Sequence, residues 1–320
     1  MLKPNDYPLE RGTYLGGYDA SAIVGANPYL TPLSCYARMI GLTKQETEMN
    51  LAMELGLYLE PFVLDKAEAM LSEIYGERVY IQERQAICIH DKYPFIAGHI
   101  DGLATVGDQV ILIDAKTTSA YSKKSWDADE GELPAAALYQ IYHYFACIPE
   151  ATVAYVAVLI GNEKIELIKV ERDDEIISGL IGIEVDFWEN HVVTQIPPNV
   201  DMISGRDLNT LKNLYPVSEE RAVEITDDTV IATAKQLVEV KARIKELEDS
   251  ADQYQAILEY ELASADTGKA GNVSFSWKSQ SRTAVSTKAL KEKYPEIYDE
   301  LSETTSSRVF RIKELKEKKS

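Results

Sequence analysis

Asp114 and Lys116 close the apolar run Val110 to Ile113, with only Ala115 between them. Residues two apart on a strand share a face, so a buried strand here ends in a carboxylate and an amine side by side. A second acid, Asp101, lies 13 residues earlier, inside Ala-Gly-His-Ile-Asp-Gly at 97–102. The Gly107-Asp108 pair between the two runs predicts a tight hairpin turn, which would bring Asp101 near Asp114. Phosphodiester hydrolysis can use such a set. Two carboxylates hold Mg²⁺ through hard oxygen ligands, and the metal polarises a phosphate and acidifies bound water. A neighbouring lysine orients or deprotonates that water and offsets growing negative charge. The spacing alone leaves an ordinary hairpin with polar ends equally open. Acidic-x-Lys triplets also occur at 239–241, 314–316 and 317–319, but in polar helical or tail stretches where they read as solvated charge.

These residues need elements to position them. Thr31-Pro32 predicts a helix start, followed by apolar residues at helical spacing up to a stop at Gly41. A longer helical pattern spans 49–74, with Pro61 expected to kink or restart it. Residues 78–90 alternate as a half-buried strand does, and 95–106 and 109–116 follow as strands. Helical spacing returns at 134–148. A buried strand at 152–161 and its hairpin partner at 163–170 come next, then a helix over 173–191. This order describes an α/β or α+β domain of about 200 residues. Residues 218–263 read as a helical hairpin or short coiled coil. Residues 272–280 and 307–314 are expected to pair as strands around a short helix. The boundaries are therefore 1–215 for the site-bearing domain and 216–320 for an appended C-terminal module.

The chain of 320 residues is long enough for one large core or two smaller ones. It shows no apolar run of membrane-span length and no apolar leader core, and its three scattered cysteines suggest neither disulfides nor zinc. A cytoplasmic protein is expected. The net charge of −19 is unevenly spread: residues 269–320 hold 12 Lys and Arg against 7 Asp and Glu, a local +5. An acidic body binds nucleic acid only through a focused basic surface or through metal ions.

Several stretches together resemble one family. Gly-His-Ile-Asp-Gly followed by Leu-Ile-Asp-Ala-Lys looks like the PD-(D/E)xK nuclease core. The opening Arg-Gly-Thr-Tyr-Leu-Gly-Gly-Tyr-Asp from Arg11, and the Gly-x-x-x-Glu-Pro helix at 56–61, resemble YqaJ-type viral recombinases of the lambda exonuclease family. So do the Gln-x-x-x-Tyr helix at 140–144 and the hairpin at 156–167. The resemblance covers residues 11 to about 190, in the family's order. It implies a restriction-endonuclease-like PD-(D/E)xK core, a mixed central sheet flanked by helices. It implies a Mg²⁺-dependent exonuclease, with Mn²⁺ as the alternative ion, acting 5′ to 3′ on linear double-stranded DNA and leaving 3′ overhangs. The expected partners are double-stranded DNA ends, a single-strand annealing protein of the RecT/Beta kind, and further copies of the chain in a ring trimer. Two rival readings remain: another endonuclease or flap nuclease on the same core, or a non-catalytic DNA-end-binding or assembly protein.

The resemblance also implies roles. Asp101 and Asp114 match the metal-binding acids, the carbonyl of Ala115 a further ligand, and Lys116 the catalytic lysine. Glu60 matches the helix glutamate that supports a metal or its water, against a plain surface carboxylate. Gln140 and Tyr144 share a helix face and match a pair that contacts DNA or the lysine, against a polar stripe beside a core face. Arg11 matches an arginine suited to a 5′ phosphate. Tyr18 stands where the family often has serine, which leaves Ser21 as the substitute hydroxyl for that phosphate. Asp114 stands where the family usually has glutamate. His99 and His143 read as structural. Tyr121 and Trp126, beside Lys123 and Lys124, read equally as strand-stacking aromatics or loop anchors.

Overall fold

The computed structural model describes residues 2–3, 12–43, 50–82, 84–126, 132–200, 205–303 and 307–315. The chain divides into two compact units, 1–215 and 216–320.

In the first unit, β1 is Leu2–Lys3, α1 Gly17–Ile23, α2 Pro32–Met39 and α3 Leu51–Tyr75. Thr31 caps α2: its hydroxyl accepts from the Ser34 N–H, and Pro32 occupies the first turn, where its missing N–H costs nothing. Helix α3 runs through Pro61 as one assigned helix, capped by the Asn50 side chain. The strands β2 Ile87–Ile89, β3 Ala97–His99, β4 Gly102–Val106 and β5 Gln109–Thr118 follow. A 3₁₀ turn at Ala120–Ser125 leads to α4, Ala135–Cys147. Then come β6 Ala151–Ile160, β7 Lys164–Glu171, α5 Asp174–Phe187 with a π-helical extension at Trp188–Val193, and α6 Leu208–Leu214.

The central sheet has the order β4-β5-β6-β7. It is mixed: β5 is antiparallel to β4 and parallel to β6, and β7 is antiparallel to β6. A smaller sheet has the order β1-β2-β3. Strand alternation sends the two faces of the central sheet into separate cores. Leu112, Val156 and Val158 pack with Ile141 and Phe145 of α4 and with Ile177 and Leu180 of α5. Ile111, Ile113, Tyr155 and Ala157 pack with Val63, Leu64, Ala67 and Leu71 of α3. Burying each of the Val, Leu, Ile and Phe side chains among these stabilises by about 1.5–3 kcal/mol, which gives the layers their cohesion.

Two expectations are revised here. The strand expected over 78–90 narrows to β2; upstream of it, Ile81 bridges Ala104 and the Gln82 N–H donates to the Leu103 carbonyl, without forming a longer strand. The strand expected over 95–106 divides into β3 and β4, and the break falls at Ile100-Asp101. There the Ile100 N–H donates to the Ala86 carbonyl, and the Asp101 carbonyl accepts from the Gln85 N–H. The backbone around Asp101 thus turns between two sheets.

In the second unit, α7 is Asp228–Leu262, β8 Thr267–Ala270, β9 Val273–Ser276, α8 Thr287–Lys293 and α9 Pro295–Leu301. Over 218–263, where a helical hairpin or a short coiled coil is expected, the structure has one helix of 35 residues, which excludes the hairpin. β9 pairs with β8 across Gly271 (φ +58°), and the segment 307–315 forms no strand, so the expected long-range pairing gives way to a local hairpin. Pro295 divides the expected single helix in two, since the residue before a proline avoids helical backbone.

Candidate active site

The hairpin between β4 and β5 sets the site. Val106 pairs with Gln109 across Gly107 (φ +58°) and Asp108, and Gly102 pairs with Ile113. One step beyond the last pair, the two strands part. The Asp101 side chain fills the fork: its Oδ2 accepts from the Ala115 N–H at 2.7 Å. A strand residue's N–H and C=O point to the same side, so the Ala115 carbonyl also faces the gap beyond β4.

Asp114 is 1% exposed, on the face of β5 that carries Leu112. Lys116 Nζ stands 2.7 Å from its Oδ2 as an ion pair, with the lysine side chain 26% exposed. Among the described residues Asp114 Oδ1 has no hydrogen-bond donor, and Oδ2 faces only the Lys116 ammonium. Burial, then the charge of Asp114, push the Asp101 carboxyl up to about 7, against the pull of Lys116 and the Ala115 N–H; Glu60 adds to the push. Burial works against the Lys116 ammonium, but Asp114, Asp101 and Glu60 together raise its pKa above the ordinary lysine value. Lys116 is therefore a charged ammonium at neutral pH.

Glu60 comes from α3, on the other layer of the sheet. Its Oε1 accepts from Gln85 Nε2 at 2.9 Å, while its charge acts on Asp101 and Lys116. Gln140 and Tyr144 of α4 approach from the Asp114 side. Gln140 Nε2 donates to the Tyr144 hydroxyl at 2.9 Å, and Tyr144 is buried, with its pKa raised well above normal by burial and by Asp114 and Asp101. Asp101, Asp114, Lys116, Glu60 and Tyr144 thus share one electrostatic neighbourhood.

Helix α1 packs hard against this wall of α4. A Cβ on Gly17 would stand 2.6 Å from Gln140 Cγ and 3.3 Å from Tyr144 Cζ. Gly17→Ala is expected to destabilise the unit by about 1–3 kcal/mol through overpacking, read as a lowered thermal midpoint. It should also displace the Gln140–Tyr144 pair.

Other expected site residues fall elsewhere. Arg11 lies outside the described residues. Ser21 is corrected: it is 1% exposed, donates to the Tyr18 carbonyl at 2.8 Å and accepts from Asn27 Nδ2 at 3.0 Å, so its hydroxyl is committed to holding the loop after α1. Asp19 is likewise engaged, by the Gly16 N–H at 3.0 Å and by Arg38. Trp126 is buried in the α4 core and anchors its loop, whereas Tyr121 is fully exposed; the side chains of Lys123 and Lys124 lie outside the described set. Two residues escaped the sequence reading. Gln85, with φ +56°, positions Glu60 and the Asp101 backbone, and no spacing rule flags it. Glu184 lies on the apolar stripe Ile177, Leu180, Ile181 of α5 and meets His143, a signal that was present in the periodicity.

Among the described residues no three His, Cys, Asp or Glu side chains stand gathered as a ready metal cage. The donor chemistry nevertheless suits a hard divalent cation. Asp114 is a buried carboxylate whose Oδ2 faces the Lys116 ammonium and whose Oδ1 has no hydrogen-bond donor among the described residues, and Asp101 is held beside it against their mutual repulsion. Added Mg²⁺ or Mn²⁺ is expected to raise the melting temperature, by the equivalent of about 2.7 kcal/mol at a hundredfold excess over Kd, and Asp114→Asn to abolish that response.

A mixed sheet whose inner strand carries Asp114-Ala115-Lys116 beyond its pairing with β4, with Asp101 just before the neighbouring strand begins, is the arrangement of the PD-(D/E)xK class. The comparisons with known proteins narrow this. A family model described as the YqaJ-like viral recombinase domain matches residues 6–152. The protein YqaJ of Bacillus subtilis (strain 168) is 31% identical over 315 residues, covering 98% of this chain and 95% of its own. The chain belongs to the YqaJ-like viral recombinase family. Among solved structures it is similar to an alkaline exonuclease (LHK-Exo) from Laribacter hongkongensis, at 17% identity over 58% of this chain and 90% of that one, with a TM-score of 0.44. It is also similar to a phage-related exonuclease from Haemophilus somnus 129PT, at 16% identity over 60% and 99%, with a TM-score of 0.40. No described helix is long and apolar enough to cross a membrane.

Proposed function

We propose that this protein is a divalent-metal-dependent deoxyribonuclease that degrades one strand of linear duplex DNA from its 5′ end. The 3′ single strand it leaves would pass to a single-strand annealing protein of the RecT/Beta kind during phage-type recombination. The observation that carries this reading is the meeting of Asp101, Asp114 and Lys116 at one end of β4 and β5. Family membership supports the recombination setting.

Asp101, Asp114 and the Ala115 carbonyl would hold Mg²⁺ or Mn²⁺, with Glu60 supporting from α3. The ion, when bound, supplies Lewis acidity toward phosphate oxygen and a more acidic water. The chain's own residues do the rest. Lys116, fully charged, is poorly suited to take a proton and well suited to orient the attacking water and to offset charge growing on the phosphate. Asp114 holds the ammonium in place. Tyr144 and Gln140 close the wall facing Asp114 and limit water there. DNA contact falls to Gln140 and Arg11.

The test is digestion of linear duplex DNA labelled separately at each 5′ end and each 3′ end, beside a closed circle, in Mg²⁺ or EDTA. Metal-dependent release of the 5′ label with circles spared is expected. Cutting of circles would replace the exonuclease by an endonuclease. No digestion in Mg²⁺ or Mn²⁺, with DNA ends still bound, would replace it by an end-binding protein.

A further inference from the structure

Gln85 holds a backbone conformation that stability alone does not explain. Its φ is +56°, in the left-handed region where a residue with a Cβ is strained and glycine is not. Its N–H donates to the Asp101 carbonyl at 3.2 Å, but glycine would make that bond with less strain. The side chain must therefore supply the reason for a glutamine here. That side chain is exposed, and its Nε2 donates to Glu60 Oε1 at 2.9 Å. A hydrogen bond open to water adds little to folding, because water replaces it in the unfolded chain. A strained residue whose contact adds so little stability points to function.

The surroundings of Gln85 link two parts of the site. On the α3 side, the Ile81 N–H donates to Glu68 Oε2 at 2.9 Å, and the Arg84 guanidinium pairs with Asp65 Oδ1 at 2.8 Å. Glu60, Asp65 and Glu68 fall within little more than two turns of that helix. On the β4 side, Ile81 bridges Ala104, the Gln82 N–H donates to the Leu103 carbonyl at 2.7 Å, and the Ala86 carbonyl accepts from the Ile100 N–H at 2.9 Å. The packing there is closed: a Cβ on Gly102 would collide with Ile81 Cγ2. The segment is thus strapped to α3 and to the start of β4 at once. Within it, Gln85 reaches Glu60 with its side chain and Asp101 with its backbone.

The chemistry of the amide suits that place. Glu60 is half-buried on α3, and its charge acts on Asp101 and Lys116. A glutamate has three side-chain torsions, so a carboxylate without a fixed partner spreads over several rotamers. The amide takes one carboxylate oxygen and leaves the other to serve a cation or its water. Being neutral, it orients Glu60 without cancelling its charge, while the nearby Arg84 pairs with Asp65 and Glu68 instead. Carboxylates at metal sites are held by outer partners of this kind.

We propose that Gln85 is a positioning residue of the metal site: its amide orients the Glu60 carboxylate, and its left-handed backbone fixes the break at Asp101. The proposal rests on the metal-dependent reading given above. The experiment titrates Mn²⁺ into the full-length chain by calorimetry without DNA, and measures the melting temperature without metal. It compares the wild type, Gln85→Gly, Glu60→Ala and the double variant. Gln85→Gly keeps the left-handed backbone and removes only the amide. It is expected to weaken Mn²⁺ binding by about 10- to 100-fold. Its metal-free melting temperature should stay close to that of the wild type, since relief of strain offsets the freedom of glycine in the unfolded chain. The double variant should bind no more weakly than Glu60→Ala, because Gln85 acts through Glu60. Unchanged or tighter binding by Gln85→Gly, or a further loss in the double variant, would overturn the proposal and leave the metal-dependent reading standing. A large fall in the metal-free melting temperature of Gln85→Gly would assign Gln85 to the fold instead. Absence of Mn²⁺ binding by the wild type would overturn the metal-dependent reading itself, and this proposal with it.

Discussion

Lys116→Ala is expected to lower metal-dependent hydrolysis of linear duplex DNA by about 10²- to 10⁴-fold, the span that a positioned lysine with this role commands. The loss should fall on kcat, because in the proposed mechanism Lys116, held by Asp114, acts on the attacking water and the phosphate and does not bind the length of the duplex. Lys116→Arg keeps a positive charge beside Asp114, but a planar guanidinium cannot take the place of a compact ammonium at a site this enclosed. It should recover little activity. A melting temperature for Lys116→Ala in Mg²⁺ close to that of the wild type separates lost chemistry from lost fold. Near-normal digestion by Lys116→Ala would remove the lysine from the mechanism.

Glu184→Ala is expected to cost about 3–5 kcal/mol of stability, the range for stripping one partner from a buried ion pair. His143 Nδ1 stands 2.6 Å from Glu184 Oε1, and both side chains are fully buried. His143 Nε2 donates to the Ala97 carbonyl at 3.1 Å, so each ring nitrogen faces an acceptor and the imidazolium is the form that satisfies both. Burial pushes the His143 pKa down, but Glu184 outweighs it and the net direction is up. A pKa raised on folding stabilises most at low pH. The contribution of the pair is fully present below the unfolded histidine value of about 6.5 and is lost as pH rises through the folded value. Urea unfolding of the wild type should therefore show this part of its stability declining on the alkaline side. Glu184→Gln, which keeps the shape without the charge, should flatten that decline. An identical pH slope in both proteins would show that His143 is neutral in the folded state.

The site was easier to read than the frame that holds it. Asp114 and Lys116 were legible because a strand's two-residue period places them on one face, and a Gly-Asp turn sets the hairpin register without help from distant residues. Spacing alone gave the helices and set Gln140 and Tyr144 on one face, since α3 and α4 are local structures, but Glu60 and the roles of that pair came from the family resemblance. What local pattern could not carry was the division of 95–106 at Asp101. That break depends on Gln85 and Ala86 arriving from another segment to take the backbone hydrogen bonds. Ser21 failed as a phosphate ligand for a related reason: the sequence shows a hydroxyl near a glycine turn, but not that Asn27 folds back to bury it. In the C-terminal module, alternation at 272–280 marked a strand correctly but not its partner, because a four-residue hairpin costs less loop entropy than a return from residue 307.

The mixed register of the central sheet also bears on the order in which this protein is made. β5 gains its β4 neighbour across a two-residue turn, but Val110 meets Ala151 of β6 only after α4 has been crossed. During synthesis the strand bearing Asp114 and Lys116 therefore emerges with one edge paired and the other bare. It must wait for about 40 further residues before its parallel partner exists, a delay of several seconds at ordinary ribosome speeds. Through that interval the apolar run Val110–Ile113 is the kind of open edge that neighbouring nascent chains can capture. The rate at which ribosomes traverse 119–150 is thus expected to influence the yield of native protein.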